Sequence, residues 1–315
     1  MTSQQCTTVA PARGRAYWHT AGSLAVVATA AFLAHRHWQV LESGALRLAV
    51  ADQGWLLVGA AATLLTWMCS ALAQQGAIAR PLPPRRLVAA QFAASAANHL
   101  LPAGLGAGAV NLRFLTRCGI PCARAATALG VKAAASALVR GVLIVALALA
   151  CPGVLQVPRI PPAGLAAVLA VAVAVALLLA SPLAPRCRRA LVGVRADIRA
   201  VHSRPSRAAA LWGGSLAFAL LHVAVLVAVT QAVALPLAPA RVALLYLAAS
   251  SAAALLPTPG GLGSLDAVLA LALTAAGAPV EAAASAVMGY RLLTVWLPLL
   301  PGLLVLGLLM RRRAL

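Results

Sequence analysis

Two interruptions in otherwise apolar sequence decide how this chain folds: Leu100-Leu-Pro-Ala-Gly-Leu-Gly106 and Leu255-Leu-Pro-Thr-Pro-Gly-Gly-Leu-Gly263. Each ends a short apolar run, 87–101 in the first case and 242–256 in the second. Proline lacks an N–H and its ring strikes the carbonyl four residues back, and glycine is a poor helix former, so neither run continues as a regular helix. Past each break stand a second short run (109–118 and 264–276), a Gly-x-Pro element (Gly119-Ile-Pro121 and Gly277-Ala-Pro279) and a long apolar span. The ordered recurrence of Leu-Leu-Pro, Gly-Leu-Gly and Gly-x-Pro reads as an internal repeat.

The surrounding composition says which solvent these runs face. Of 315 residues, 63% are hydrophobic and 10% charged, with a mean hydropathy of +0.94. Soluble domains carry about 25% charged residues, so there is too little polar surface to cover a globule in water. Long runs rich in Ala, Leu and Val near residues 17–34, 55–77, 123–150, 163–180, 208–235 and 282–310 approach the roughly 20 residues that a spanning helix requires. None alternates polar with apolar, which argues helices over a barrel. The fold class predicted is an all-α polytopic transmembrane bundle, a single domain over 1–315. Arg13 and Arg15 precede the first run as in a secretory signal, but His35-Arg36-His37 follows it in place of small residues, which favours a retained helix.

The chain has 25 basic and 5 acidic residues, a formal charge of +20. In a soluble protein that balance would suggest nucleic acid. Here the arginines sit between apolar runs without interleaved aromatics, so no nucleic-acid partner is expected and the positive-inside rule applies. Both termini in the cytoplasm of a multi-pass cell-membrane protein leave Arg80, Arg85, Arg86, the basic loop 184–207 and the terminal arginines inside. That loop reads either as an interfacial amphipathic helix or as a solvated connection. Arg113, Arg117 and Arg124 also belong inside. Segment 87–118 must then enter and leave by the cytoplasmic face as a re-entrant hairpin, and segment 242–276 must do the same from the outer face. Inverted broken hairpins meeting near the midplane line polar cavities in transporters. The competing reading of both breaks is a proline kink in an ordinary spanning helix.

Ionisable groups in spans are expensive, about 2.5–3.5 kcal/mol each at a helix centre, and usually face a cavity or a partner. The candidates are His99, Arg113, Lys132, Arg140, His222, Asp266 and Arg291, with Asn98, Asn111 and Tyr290 beside them. Asp266 is the one acid in this set and is expected to pair with Arg291 or Arg140. The candidate substrate-binding residues are Asn98, Arg113, Arg140, Asp266 and Arg291, a positive set suited to an anionic head group. For Arg113 and Arg140 the alternative is snorkelling to an interface, and for His222 it is a packing histidine. Backbone donors and hinges are expected at Pro102, Gly104, Gly106, Pro257, Pro259, Gly260, Gly261 and Gly263. No nucleophile–base pair, paired carboxylates or metal-spaced His/Cys cluster stands out, so no catalytic residue, metal or cofactor is assigned. The six scattered cysteines read as small packing residues.

At the second break, Pro257-Thr-Pro-Gly-Gly-Leu-Gly-Ser-Leu-Asp266, with Gly277 and Tyr290-Arg291 after it, resembles the lysylphosphatidylglycerol synthase transmembrane, or flippase-like, family. Asn98-His-Leu-Leu-Pro102, the following glycines and Asn111-Leu-Arg113 resemble its first motif. The resemblance runs from the second helix onward. It implies a polytopic helical fold and translocation of an aminoacylated or glycosylated lipid between leaflets, with membrane lipids as partners and a separately encoded lipid-modifying enzyme as a further one. Matching positions are Asn98, Pro102, Gly104, Gly106, Arg113, Pro259, Gly260, Gly261, Gly263, Asp266 and Arg291. Where the family often has a glycine–glutamate pair this chain has Gly106-Ala-Gly-Ala, and Asp266 stands where glutamate is common. The synthase reaction also needs a soluble aminoacyl-transferring domain; the sequence ends at Leu315, just past its last span, so no aminoacyl transfer is expected. The other functional readings are a membrane-embedded lipid-modifying or lipid-linked glycosyl-transfer enzyme, and a non-transporting scaffold.

Overall fold

The computed structural model describes residue 42 and residues 46–100, 105–150, 199, 202–254 and 263–311. The expected first helix, the span 163–180 and most of the basic loop lie outside these residues, as do Pro102, Gly104, Pro257, Pro259, Gly260 and Gly261. The described residues form helices joined by short turns, without strands. In chain order the helices are α1 (Gln53–Gly76), α2 (Pro84–Leu100), α3 (Leu105–Arg117), α4 (Cys122–Ala150), α5 (Pro205–Ala232), α6 (Pro239–Ala253), α7 (Ser264–Ala275) and α8 (Val280–Arg291). A five-residue π segment, Leu292–Trp296, then joins α8 to α9 (Leu297–Arg311). Among the described residues, four stretches are long and apolar enough to cross a membrane: α1, α4, α5 and the continuous rod from Val280 to Leu309.

Local chemistry sets the helix ends. Asp52 caps α1, its Oδ1 accepting from the N–H groups of Gly54 at 2.7 Å and Trp55 at 3.3 Å. Prolines open α2, α5 and α6, where the missing N–H would have had no partner. The repeated Gly-x-Pro elements are helix stops. Gly119 and Gly277 adopt φ of +79° and +96°, and the next residue donates back into the helix in each case: Ile120 N–H to Leu115 O at 3.2 Å and Ala278 N–H to Leu273 O at 3.1 Å. This left-handed stop is costly for any residue with a Cβ.

The bundle is organised by α1 and α5, which run antiparallel in backbone contact. A Cβ on Gly76 would stand 2.3 Å from Leu211 N, and one on Gly214 2.7 Å from Ala73 N. Lipid supplies no hydrophobic drive between helices, so such small-residue seams carry the packing through dispersion contacts. The α1 C-terminus and the α5 N-terminus therefore share one end of the molecule, where Arg207 donates to Ala79 O. Arg80 donates to Cys118 O there at 3.3 Å, which brings the α3–α4 turn to the same place. At the opposite end Asp52 N–H donates to Ala232 O at 3.1 Å.

Against this frame the two broken segments form helical hairpins. In the first, α2 and α3 run antiparallel, with Gln91 bonded to Asn111 and Gly106 against the Ala97 backbone; both outer ends lie at the arginine-rich end. In the second, α6 follows the C-terminus of α5 and α7 precedes α8, so both outer ends lie at the other one. Each hairpin packs into its own apolar cluster. Leu87, Ala90, Ala93, Phe114 and Leu115 belong to one, and Val242, Leu247, Leu269, Leu273 and Ala286 to the other. The first hairpin also leans on α9, where a Cβ at Gly302 would stand 3.0 Å from Ala96 Cβ. Helix α4 is the least covered, exposing Leu138, Val142, Val145 and Leu149. Cys69 and Cys118 are free and partly buried; Cys122 is disulfide-bonded, which corrects the packing-only reading for that residue.

Candidate functional site

The tip of the second hairpin begins at Gly263, with φ of +81°, directly before the first turn of α7. Asp266 sits in that turn, where the helix dipole favours a carboxylate. Its Oδ2 accepts the Gly263 N–H at 2.9 Å, and its Oδ1 takes the Nε of Arg291 in an ion pair. The side chains keep 10% exposure at Arg291 and 31% at Asp266, so the pair is largely withdrawn from its surroundings while the acid retains an open side. Counting 1.5 Å per residue, Asp266 lies roughly 14 Å from the outer end of α7 and Arg291 roughly 17 Å from the start of α8. Each of these lengths is about half the ~30 Å thickness of a bilayer core.

Arg291 is also the last residue before the π segment. Pro298 and Pro301 follow, and neither can donate to the carbonyl four residues behind it. The wider turn just ahead absorbs that mismatch, and single π turns of this kind recur at functional sites. Beside Arg291, the hydroxyls of Tyr290 and Tyr246 are 2.8 Å apart, both rings are 3% exposed, and the contact ties α6 to α8. Arg140 on α4 lies within Coulombic range of both tyrosines and of His222. Its Nε is buried without a partner among the described residues. His222 bonds through Nδ1 to Phe218 O at 3.0 Å and tilts against the Phe218 ring at 4.4 Å.

From the first hairpin comes His99, in the last turn of α2. It lies within Coulombic range of Arg291, and its Nδ1 is buried with no hydrogen-bond partner among the described residues. Asn98 precedes it, half-buried, where a Cβ on Gly106 would fall 2.8 Å from its amide nitrogen. Both hairpins therefore reach Arg291 from opposite ends of the molecule. Arg113 does not join them: it is exposed on α3, about one turn from Arg117. Of the five candidate binding residues the structure gathers Asp266, Arg291 and Arg140, brings Asn98 to the margin, and leaves Arg113 near the arginine-rich end.

A second polar centre lies in the first half of the chain. Lys132 Nζ donates to Ser70 Oγ at 2.9 Å, Gln91 Oε1 at 3.3 Å and Gln74 Oε1 at 3.4 Å. Gln91 Nε2 donates to Gln74 Oε1 at 3.0 Å and Asn111 Oδ1 at 2.9 Å, and Ser70 Oγ donates to Gln91 Oε1 at 2.8 Å. Three neutral oxygens thus receive the three ammonium protons, joining α1, α2, α3 and α4. Lys132 and Asn111 were visible as polar residues in spans. Ser70, Gln74 and Gln91 were missed, although Ser70 and Gln74 stand one helical turn apart in an apolar span. Tyr246 was missed as well.

In the central cluster Asp266 pairs with Arg291, His99 lies near Arg291, and Arg140 approaches the same two tyrosines as Arg291. This excess of cations and donors at depth can hold an anionic or hydrogen-bonding group in a low-dielectric setting, while the acid can release or receive one of its partners. Among the described residues, no three His, Cys, Asp or Glu side chains come together to hold a metal. No curated protein matches the sequence. The family described as lysylphosphatidylglycerol synthase TM region matches residues 20–302, a stretch that contains both hairpins, the ion pair and the Lys132 network. The chain, an all-α multi-pass membrane protein, belongs to the lysylphosphatidylglycerol synthase transmembrane-region family.

Proposed function

We propose that this protein translocates a lipid with an anionic or polar, aminoacylated or glycosylated, head group between the leaflets of the cell membrane. The observation that carries the reading is the convergence of two oppositely rooted hairpins on Arg291, with Asp266 as its partner; the reading sets this meeting point near mid-membrane. A spanning helix costs nothing in unsatisfied backbone, whereas a hairpin stopping halfway needs a polar chamber to be worthwhile. In this reading the hairpins are re-entrant, both termini are cytoplasmic, and the arginine-rich end faces the anionic inner leaflet. Arg291 and Arg140 attract the head group. Asp266 holds Arg291 when the chamber is empty and yields it to the lipid phosphate or carboxylate, and the glycines flanking each break let backbone N–H groups approach. A separately encoded lipid-modifying enzyme would supply the cargo.

The test is a leaflet-resolved assay of fluorescent anionic and zwitterionic lipids in vesicles reconstituted with wild type, Asp266→Asn and Arg291→Ala. Transfer by wild type and its loss in both variants support the reading. Equal transfer by all three, or none by wild type, defeats it; a chemically altered lipid would favour a membrane-embedded enzyme instead.

A further inference from the structure

A cleft of about 260 Å³ opens at the arginine-rich end, between the α1–α2 turn, the α3–α4 turn and the first turns of α4. Arg80 and Arg124 stand at its polar side, and Ile78, Ile120, Ala128 and Val131 form its apolar walls. Arg80 is held in place. Its carbonyl accepts from Gln75 Nε2 at 3.0 Å, its Nη1 donates to Cys118 O at 3.3 Å, and a Cβ at Gly119 would crowd that same nitrogen at 3.3 Å. Arg207 fixes the adjoining Ala79 carbonyl. Gln75 Oε1 in turn accepts the Leu82 N–H at 2.8 Å, so one side chain braces the whole turn.

Among the described residues no acid lines this cleft. The described acidic residues are Glu42, Asp52, Asp266 and Glu281, none of which lines the cleft, and the first turn of α4 carries none. The cleft is also graded. Its lining runs along α4 from Arg124 through Thr127 to Ala128 and Val131, and that helix continues as the exposed apolar face of Leu138, Val142, Val145 and Leu149. A soluble anion would use only the arginines. An amphiphile with one negative phosphodiester would use the whole of it, its phosphate against the two arginines and its chains along α4.

We infer that this cleft is a binding site for an anionic phospholipid, separate from the central ion pair. Arg124 and Arg140 are roughly 24 Å apart along α4, so one head group cannot occupy both places. The site stands on its own lining residues, whether or not the central cluster moves lipid.

The experiment uses the full chain in lipid nanodiscs and spin-labelled phosphatidylglycerol and phosphatidylcholine, with the motionally restricted fraction as readout. Wild type should prefer phosphatidylglycerol. Arg80→Ala with Arg124→Ala should lower that preference about thirtyfold, from two surface charges removed. Equal retention of the two lipids by wild type, or an unaltered preference in the double variant, overturns the assignment. Displacement by millimolar glycerol phosphate would also overturn it, because a soluble-anion site is then sufficient. Should the double variant fold poorly, wild type alone decides. Phosphatidylglycerol with a photoreactive head group should crosslink at residues 78–80 or 119–131, and crosslinks confined to other segments contradict the site. Loss of lipid transfer with this binding intact would count against the translocation reading only.

Discussion

Asp266 and Arg291 reach each other from helices rooted at the same end of the bundle, at nearly equal depth, one in the first turn of its helix and the other in the last. The acid is placed by a hairpin tip and the base by the stretch of rod that precedes a π turn. The pair thus joins the part of the second hairpin nearest its break to the rod against which the first hairpin also leans.

Removing either partner leaves the other charge uncompensated. A fully buried pair loses about 3–5 kcal/mol on such truncation, and the partial exposure of Asp266 brings the expected loss for Arg291→Gln nearer about 2 kcal/mol. Asp266→Asn with Arg291→Gln together should cost less than the sum of the singles. Unfolding in mixed micelles measures all three, and strict additivity would mean that the two side chains do not interact.

Gly106 tests the closure of the first hairpin. A Cβ there would fall 1.9 Å from Ala97 O, whereas one on Gly108 meets nothing within 4 Å. Gly106→Ala should destabilise by about 1–3 kcal/mol, as overpacking does, and abolish lipid transfer. Gly108→Ala should be neutral or better, since alanine favours helix by about 1 kcal/mol over glycine. Thermal unfolding and vesicle assays on the two variants separate these outcomes; similar behaviour would contradict the close contact.

The Lys132 network makes an asymmetric demand. Lys132→Met leaves every oxygen of Ser70, Gln74 and Gln91 in at least one remaining hydrogen bond and relieves the burial of a charge, so it should cost little. Gln91→Leu takes an acceptor from the ammonium and the donor from Asn111 Oδ1, and each orphaned buried group costs about 1–3 kcal/mol. Gln91→Leu should therefore be the more damaging by at least about 1 kcal/mol, read from denaturant titration; the reverse order would refute the arrangement of donors.

Much of this architecture was legible before any coordinates. The span expected at 55–77 is Gln53–Gly76 and the one at 123–150 is Cys122–Ala150, and the Gly-x-Pro elements read as repeat punctuation fall between helices. Apolar length, proline and glycine are local signals, and these features are local. Helix α2 starts at Pro84, earlier than expected, because Arg85 and Arg86 read as loop while a proline can begin a helix. The final rod was expected without a break. Its π segment had only Pro298 and Pro301 as warning. Whether Asp266 meets Arg291 or Arg140 depends on how helices rotate against one another, which periodicity does not fix. The Lys132 network was hidden for a similar reason, since four helices each contribute one or two polar residues unremarkable alone.

The depth of the two hairpin tips tests the translocation chamber most directly. Spin labels placed singly at Asn98 and Ser264, in protein reconstituted in vesicles, report depth through the balance of collisions with oxygen and with a water-soluble nickel chelate. Both labels should lie deep and close to the same level near the bilayer centre. Labels found at opposite water-facing surfaces would mean that the hairpins cross the membrane, and that no chamber joins them.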